Sequence, residues 1–256
     1  EREGLLGQHR RWENFQERLI ENTARLVGAQ PSEVVVMNAL TVNIHLLLVS
    51  FYQPNENRKK IIIEEGTFPS DQYAIKSQIK FHGFDPQDTL IELSPRKGEA
   101  TLRTKDILAA VRDINEELAT VILGGVNYYT GQVFDMQSIT KAGHKAGAFV
   151  GFDLAHGAGN LEMNLHDWNV DFAAWCSYKY LCAGPGSPAG TFIHNIHHHW
   201  TGPRLTGWWG HNKSTRFEMG PDFDPIQTAE GWQISNAPVM GMAPLLAAME
   251  ILDEDG

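Results

Sequence analysis

The chain has 256 residues, 42% hydrophobic and 20% charged, which describes a globular protein long enough to bury a large core. Its formal net charge of -10 argues against nucleic acid and anionic membrane surfaces as partners. Two cysteines, Cys176 and Cys182, are too few for a disulfide framework and match no metal-binding spacing, so a reducing, cytoplasmic setting is expected.

In chain order, the opening segment EREGLLGQHRRWENF is charged rather than apolar, and no secretory leader is expected there. A helix is expected over 12–27, a strand in EVVVM (33–37) and a helix over 41–52. That helix contains IHLLLVSFY, the longest apolar stretch, which is too short to span a bilayer. A strand in KIIIE (60–64) and helices over 69–82 and 103–117 follow, then a strand in ATVILG (119–124). A helix over 135–146 is stopped by Gly147 as its C-cap. Strands in AFVGF (148–152), DFAAW (171–175) and AGTFIH (189–194) complete the set. These strands are apolar almost throughout, as strands covered on both faces are. Their alternation with helices predicts an α/β fold with a mainly parallel sheet flanked by helices. Residues 200–237 read as a long loop rich in Gly and Trp, of the kind that is functional or poorly ordered. The closing AAMEILDEDG reads as a helix running out into acidic residues.

Open parallel sheets collect ligands at the carboxyl ends of their strands. Polar residues stand at five such ends: 38–41, 67–71, 124–130, Asp153 with His156, and 177–179. Lys179 lies among small and aromatic residues and ahead of glycines that let a ligand approach the backbone. Burial of a lysine favours the neutral amine, which is a nucleophile and a base. Asp153 at the end of a buried strand suits either a helix cap or the carboxylate that a pyridinium nitrogen requires. His156 is a ring neighbour or a structural histidine. Thr41 opens a helix whose free N–H groups and dipole favour a phosphate, and it serves equally as an N-cap. In TFPSDQYA, Pro69 suits the first turn of a helix, Ser70 and Asp71 offer polar contacts, and Phe68 is either a stacking ring or a core residue. The histidines of HNIHHHW (194–200) lack a second ligand cluster at metal spacing and read as a solvated turn. No Walker A, dinucleotide or nucleophile-elbow motif is present.

With these residues in view, the chain resembles the kynureninases, fold-type I pyridoxal-phosphate enzymes of the aspartate aminotransferase superfamily. The resemblance is carried by VVMNALTVNIHLLLVSFY, TFPSDQYAI, YYTGQVFDM, ITKAGHKAGAFVGFDLAHGAGN, LHDWNVDFAAWCSYKYL, GWWGH, STRFEM and ISNAP. It implies that residues 1–256 form the large cofactor-binding domain, with pyridoxal 5'-phosphate on Lys179 as a Schiff base and Lys179 as the catalytic acid and base. Asp153 would pair with the ring nitrogen, with His156 beside it, and Phe68 would stack on the ring. Leu40 and Thr41 would lie at the phosphate, with Pro69, Ser70, Asp71 and Tyr178 nearby. Trp208 and Asn236 would complete the cofactor and substrate region, from a partner subunit in a homodimer. The implied reaction is hydrolysis of L-kynurenine or its 3-hydroxy form to an anthranilate and L-alanine.

The chain departs from the family at Gly124, where a hydroxyl residue is common, and in the segment before Trp12. The family's smaller C-terminal domain, which supplies an arginine for the substrate carboxylate, is expected to be absent after Gly256; Arg204 and Arg216 are candidates to replace that arginine. Two alternatives remain at this point. One is a cysteine desulfurase or selenocysteine lyase on the same scaffold, for which Cys182 is the local candidate; the other is a non-catalytic fragment of the fold.

Overall fold

A computed structural model describes residues 12–255, so the departure expected before Trp12 lies outside the described residues. The chain builds one seven-stranded sheet in the order β1-β7-β6-β5-β4-β2-β3. The strands are β1 (Val34–Met37), β2 (Lys60–Glu64), β3 (Leu90–Leu93), β4 (Leu118–Gly124), β5 (Phe149–Asp153), β6 (Phe172–Trp175) and β7 (Ala189–Ile193). All six expected strands are present. The pairs β2–β3, β2–β4, β4–β5 and β5–β6 are parallel, whereas β7 runs antiparallel to both β6 and β1. The mainly parallel prediction therefore holds, with one reversed strand.

Period-two alternation sorts the strand side chains between two cores. Val34 and Val36 join Val121, Leu123, Val150 and Phe152 on one face, while Val35 and Met37 join Ile61, Ile63, Ile122 and Phe172 on the other. Helices α1 (Ile20–Val27), α5 (Thr104–Ile114), α6 (Met136–Lys145) and α7 (Val239–Asp255) cover the first face. Helices α2 (Leu40–Phe51) and α3 (Pro69–Phe81) cover the second, and the single turn α4 (Pro86–Thr89) leads into β3. The helix expected over 12–27 is divided: a 3-10 segment, Trp12–Leu19, is broken by Asn14 at φ -125° and only then passes into α1. Gly147 does close α6, at φ 76°, donating its N–H to the His144 carbonyl.

Two expectations need correction. The histidines of 194–200 are not all on a solvated turn. His194 and His198 are buried, and at the end of the sheet away from the strand carboxyl ends His194 and His197 meet two buried carboxylates distant in sequence, Glu33 and Asp171. Asp171 accepts from His144 Nε2 and His197 Nε2, each at 2.8 Å, and from the Val150 N–H at 2.7 Å. Glu33 accepts from His166 Nδ1 at 2.8 Å and from the Asn195 N–H at 2.9 Å. Glu33, His166 and His194 stand close enough to share an ion. The two imidazole planes, however, lie within 12° of parallel, so a single ion cannot lie in both ring planes along the nitrogen lone pairs. The group is read as a hydrogen-bonded brace between β1, β7 and the 164–171 turn.

The second concerns residues 200–237, which do form the expected long loop, but an ordered one. They are organised by 3-10 turns at Trp208–Gly210, Arg216–Glu218 and Ala229–Trp232, pinned by the two arginines. The Arg204 guanidinium stacks 3.9 Å from the Trp232 ring and donates to the Gly231 and Trp200 carbonyls; burial lowers its pKa to about 10. Arg216 is buried, lies 4.3 Å from the Trp209 ring and donates to the Trp209 carbonyl. Both hold the loop together.

Candidate active site

Three neighbouring strands end in a row: β2 at Glu64, β4 at Gly124 and β5 at Asp153. Together with the turn after β6 and the starts of α2 and α3, they enclose a cavity of about 420 Å³. Leu40, Thr41, Phe68, Ser70, Asp71, Asp153, His156, Tyr178 and Lys179 all line it. Pro69 sits at the first position of α3, between two lining residues, and is not itself in the wall.

Lys179 projects from the turn that follows β6. Ser177 anchors that turn: it is fully buried, its hydroxyl donates to the Pro188 carbonyl at 2.6 Å, and its carbonyl accepts from the Ala183 N–H at 3.0 Å. The Lys179 amine lies 3.1 Å from His156 Nε2 and 5.6 Å from the centre of the Phe68 ring. Burial, followed by the neighbouring Lys179, lowers the pKa of His156 and keeps it neutral. A neutral His156 with its proton on Nδ1, facing the Tyr180 hydroxyl at 3.4 Å, presents Nε2 to Lys179 as an acceptor.

Asp153 accepts the Ala155 N–H at 2.7 Å. Its second partner is Asp71, which the sequence reading placed among the polar groups near the phosphate. Consecutive helix residues diverge by about 100°, so Ser70 and Asp71 face different walls. Ser70 meets the Thr41 hydroxyl at 2.9 Å, and Asp71 turns to Asp153. Burial and the Asp153 charge push Asp71 up to about 9, whereas the bond from Asp71 offsets part of the upward push of burial on Asp153. The bond raises Asp71 and opposes the rise of Asp153, so Asp71 is the donor of the pair and Asp153 the acceptor, although burial leaves Asp153 raised as well.

At the other end of the cavity, α2 has no side-chain cap at Ala39, and α3 has none at Phe68. Ala39, Leu40 and Thr41 are all in the wall, so the first-turn amides of α2 and the Thr41–Ser70 hydroxyl pair form one donor cluster suited to an anion. Phe68 is half-exposed, with Tyr128 edge-on at 5.4 Å.

Trp208 and Asn236 are exposed and stand outside this wall; the Trp208 indole N–H is spent on the Arg216 carbonyl. Cys182 is exposed, at φ 54°, and is also outside the wall. Among the described residues no arginine lines the cavity, and neither Arg204 nor Arg216 reaches it. Thr67, Val126 and Tyr128, within the expected strand-end segments 67–71 and 124–130, line it too, whereas Glu64 and Ala155 line it without having been singled out from the sequence. Glu64 carried the same signal as Asp153, a charge closing an apolar strand. Ala155 carried none.

The donor set fits pyridoxal phosphate end to end: an anion cradle, an aromatic face, an amine, and a buried carboxyl for a ring nitrogen. Comparison with known proteins agrees. The chain is 58% identical over 255 residues to a kynureninase of Christiangramia forsetii, covering 99% of this chain and 60% of that protein. It is 49% identical over 244 residues to a kynureninase of Nematostella vectensis, covering 95% of this chain and 52% of that one. The chain thus spans roughly 60% of the length of the bacterial relative and about half that of the animal one. In structure it resembles the apo cysteine desulfurase of Thermococcus onnurineus, with a TM-score of 0.76 at 18% identity over 95% of this chain and 57% of that one. A cystine C-S lyase in complex with cysteine persulfide gives a TM-score of 0.75 at 18% identity over 94% and 61%. Those likenesses establish the fold alone. The model of the aminotransferase class-V family matches residues 7–190, which contain every strand end of the cavity together with Lys179, and the chain belongs to that family.

Proposed function

We propose that this chain binds pyridoxal 5'-phosphate on Lys179 and forms the cofactor-binding part of a hydrolase that converts L-kynurenine, or its 3-hydroxy form, to an anthranilate and L-alanine. The observation that carries the reading is the meeting of Lys179 and Asp153 in one cavity of a chain 58% identical to a kynureninase. When bound, the cofactor supplies the electron sink that permits cleavage between the substrate's Cβ and Cγ. Thr41, Ser70 and the first turn of α2 hold its phosphate. Phe68 covers a ring face, and Asp153, the acceptor in its bond with Asp71, is the carboxyl that would pair with the ring nitrogen and favour its protonation. Lys179 Nζ is the base and acid at the substrate Cα, a role that contributes about 10²–10⁴-fold. His156 Nε2, 3.1 Å away, orients that amine.

Trp208 and Asn236, exposed on this chain, fit a cavity completed by a second copy. The substrate carboxylate needs a cation from outside this cavity wall. Cys182, outside the wall, does not favour the desulfurase alternative. The test is incubation with pyridoxal phosphate, borohydride reduction and peptide mapping, followed by anthranilate fluorescence with kynurenine and sulfide release with cysteine. A pyridoxyl label on Lys179 with anthranilate production supports the reading. A label on another lysine, or sulfide in place of anthranilate, overturns it.

A further inference from the structure

Glu64 has no part in the contacts above, yet it is 3% exposed and lines the cofactor cavity. It also lines a second pocket of about 270 Å³ on its other side, with Glu65, Asn127, Tyr128 and Gln132. The Gly124 N–H donates to both Glu64 oxygens, at 3.2 and 3.3 Å, and the Thr67 side chain hydrogen-bonds the same carboxyl. Gly124 is the register partner of Asp153 across β4 and β5, and Thr67 immediately precedes Phe68. One carboxyl therefore joins the turn that carries the ring-face residue to the strand end beside the ring-nitrogen residue. At Gly124 a Cβ would lie 3.1 Å from Glu64 Oε1, so the glycine gives the carboxyl its place.

Resting on the pyridoxal-phosphate reading, we propose that Glu64 is a positioning residue for the cofactor ring, acting through Phe68 and through the charge on Asp153. The groups facing it are Asp153 from the end of β5 and Asp71 from α3, with Lys179 and His156 across the cavity, the phenols of Tyr128 and Tyr178, and Glu65 on the outer pocket. Burial, with a smaller push from Asp153, raises the Glu64 carboxyl to about 7, so it changes charge around neutrality. Ionised, it adds a negative charge next to Asp153 and steadies any cation in the cavity, whether at the ring nitrogen or at Nζ. Neutralised, it withdraws that support.

The experiment is a pH titration of the visible absorption band of the pyridoxal-phosphate-loaded protein, with cofactor affinity, for wild type, Glu64→Gln and Glu64→Asp. Glu64→Gln keeps an acceptor for Gly124 but removes the charge. Its band midpoint is expected to move to lower pH by about one unit, the usual effect of losing one near charge, with cofactor binding weakened several-fold. Glu64→Asp restores the charge and should return the midpoint toward wild type, while its shorter reach still weakens binding. A wild-type midpoint in Glu64→Gln overturns the proposal, even if affinity falls, because a purely structural residue would do that. A wild type with no band overturns the cofactor reading itself. Should Glu64→Gln not fold, carbon-13 labelling of the glutamate carboxyls in the wild type decides. One resonance should titrate near neutrality in the apoprotein and shift its midpoint when the cofactor is added; if all titrate in the ordinary carboxylate range, or the cofactor shifts none, the proposal fails.

Discussion

Glu64 also makes the cofactor-free protein less stable as pH rises, by an amount the structure sets. A glutamate at its ordinary value of 4.5 in the unfolded chain is raised to about 7 in the fold. A raised folded value means the folded state binds the extra proton. The stabilisation is fully present below 4.5 and is lost as pH climbs through 7. The difference between those two values, at about 1.4 kcal/mol per unit, amounts to about 3 kcal/mol. Glu64→Gln mimics the protonated carboxyl and cannot ionise. Urea unfolding of the apoproteins should give similar stabilities at about pH 4 and a variant more stable by up to about 3 kcal/mol at about pH 8, with equal m-values. Asp71, raised to about 9 mainly by burial and in small part by Glu64, adds its own decline up to that value in both proteins; removing the Glu64 charge also relaxes Asp71 slightly, which acts in the same direction as the expected gain. A gain below about 0.5 kcal/mol at the higher pH, the scatter of an ordinary surface substitution, would refute the reasoning and mean that water or a rearranged neighbour already stabilises the charge.

Lys179→Ala should fold normally yet show no visible band and take no pyridoxyl label after borohydride. Asp153→Asn removes the charge opposite the ring nitrogen; cofactor affinity should fall about tenfold or more, and Cα-proton exchange of bound substrate, followed by NMR in deuterium oxide, should fall with it. Thr41→Ala with Ser70→Ala deletes both hydroxyls of the anion cradle and should cost pyridoxal phosphate about tenfold or more in affinity while leaving pyridoxal, which lacks the phosphate, much less affected. Asp171→Asn should destabilise the fold by about 3 kcal/mol, the loss of two charge-assisted bonds, read by urea unfolding. Burial alone would raise Asp171, but His144 and His197 bring it below 3.8, so its contribution is kept above that value and lost on acidification through the lowered one. His144, raised by its bond to Asp171, contributes below 6.5 and loses that contribution as pH rises through its raised value.

The fold was legible wherever hydrophobic pattern and length agreed. Strands such as ATVILG, covered on both faces, read as apolar runs whatever their partners. β3 was missed because it is a four-residue edge strand with Glu92 exposed and its other residues only half-buried, so LIEL carries neither an apolar run nor a clean alternation. The reversal of β7 leaves no mark in AGTFI itself. Nor is it marked by the connection 176–188, which holds no helix, because 154–171 holds none either and joins the parallel pair β5 and β6. The roles of Arg204 and Arg216 depend on Trp232 and Trp209, and no local pattern connects an arginine to the indole it will lie against.

The site divides in the same way. Lys179, Asp153 and Thr41 each follow a recognisable strand, and their convergence follows from parallel neighbours ending on one edge. Asp71 could not be placed by that rule, since SD at the start of a helix says only that two polar residues leave in directions about 100° apart. Which of them meets Thr41 and which meets Asp153 is decided by the azimuth of α3 against the sheet. That choice matters chemically. Had Ser70 faced Asp153 and Asp71 faced Thr41, a carboxylate would have stood in the anion cradle and repelled a phosphate, and Asp153 would have had a hydroxyl donor in place of a carboxylic acid. With the observed phase, the anion end keeps only neutral donors, and the acidic groups gather at the end where a ring nitrogen must stay protonated. Glu64 extends that gathering by one strand. Among the described residues three carboxyls and one lysine line the cavity, and burial raises all three carboxyls, Glu64 to about 7 and Asp71 to about 9. The cavity thus meets a cofactor with carboxyl protons in reserve, an arrangement that keeps repulsion of a phosphate low at one end and still offers acceptors to a pyridinium at the other.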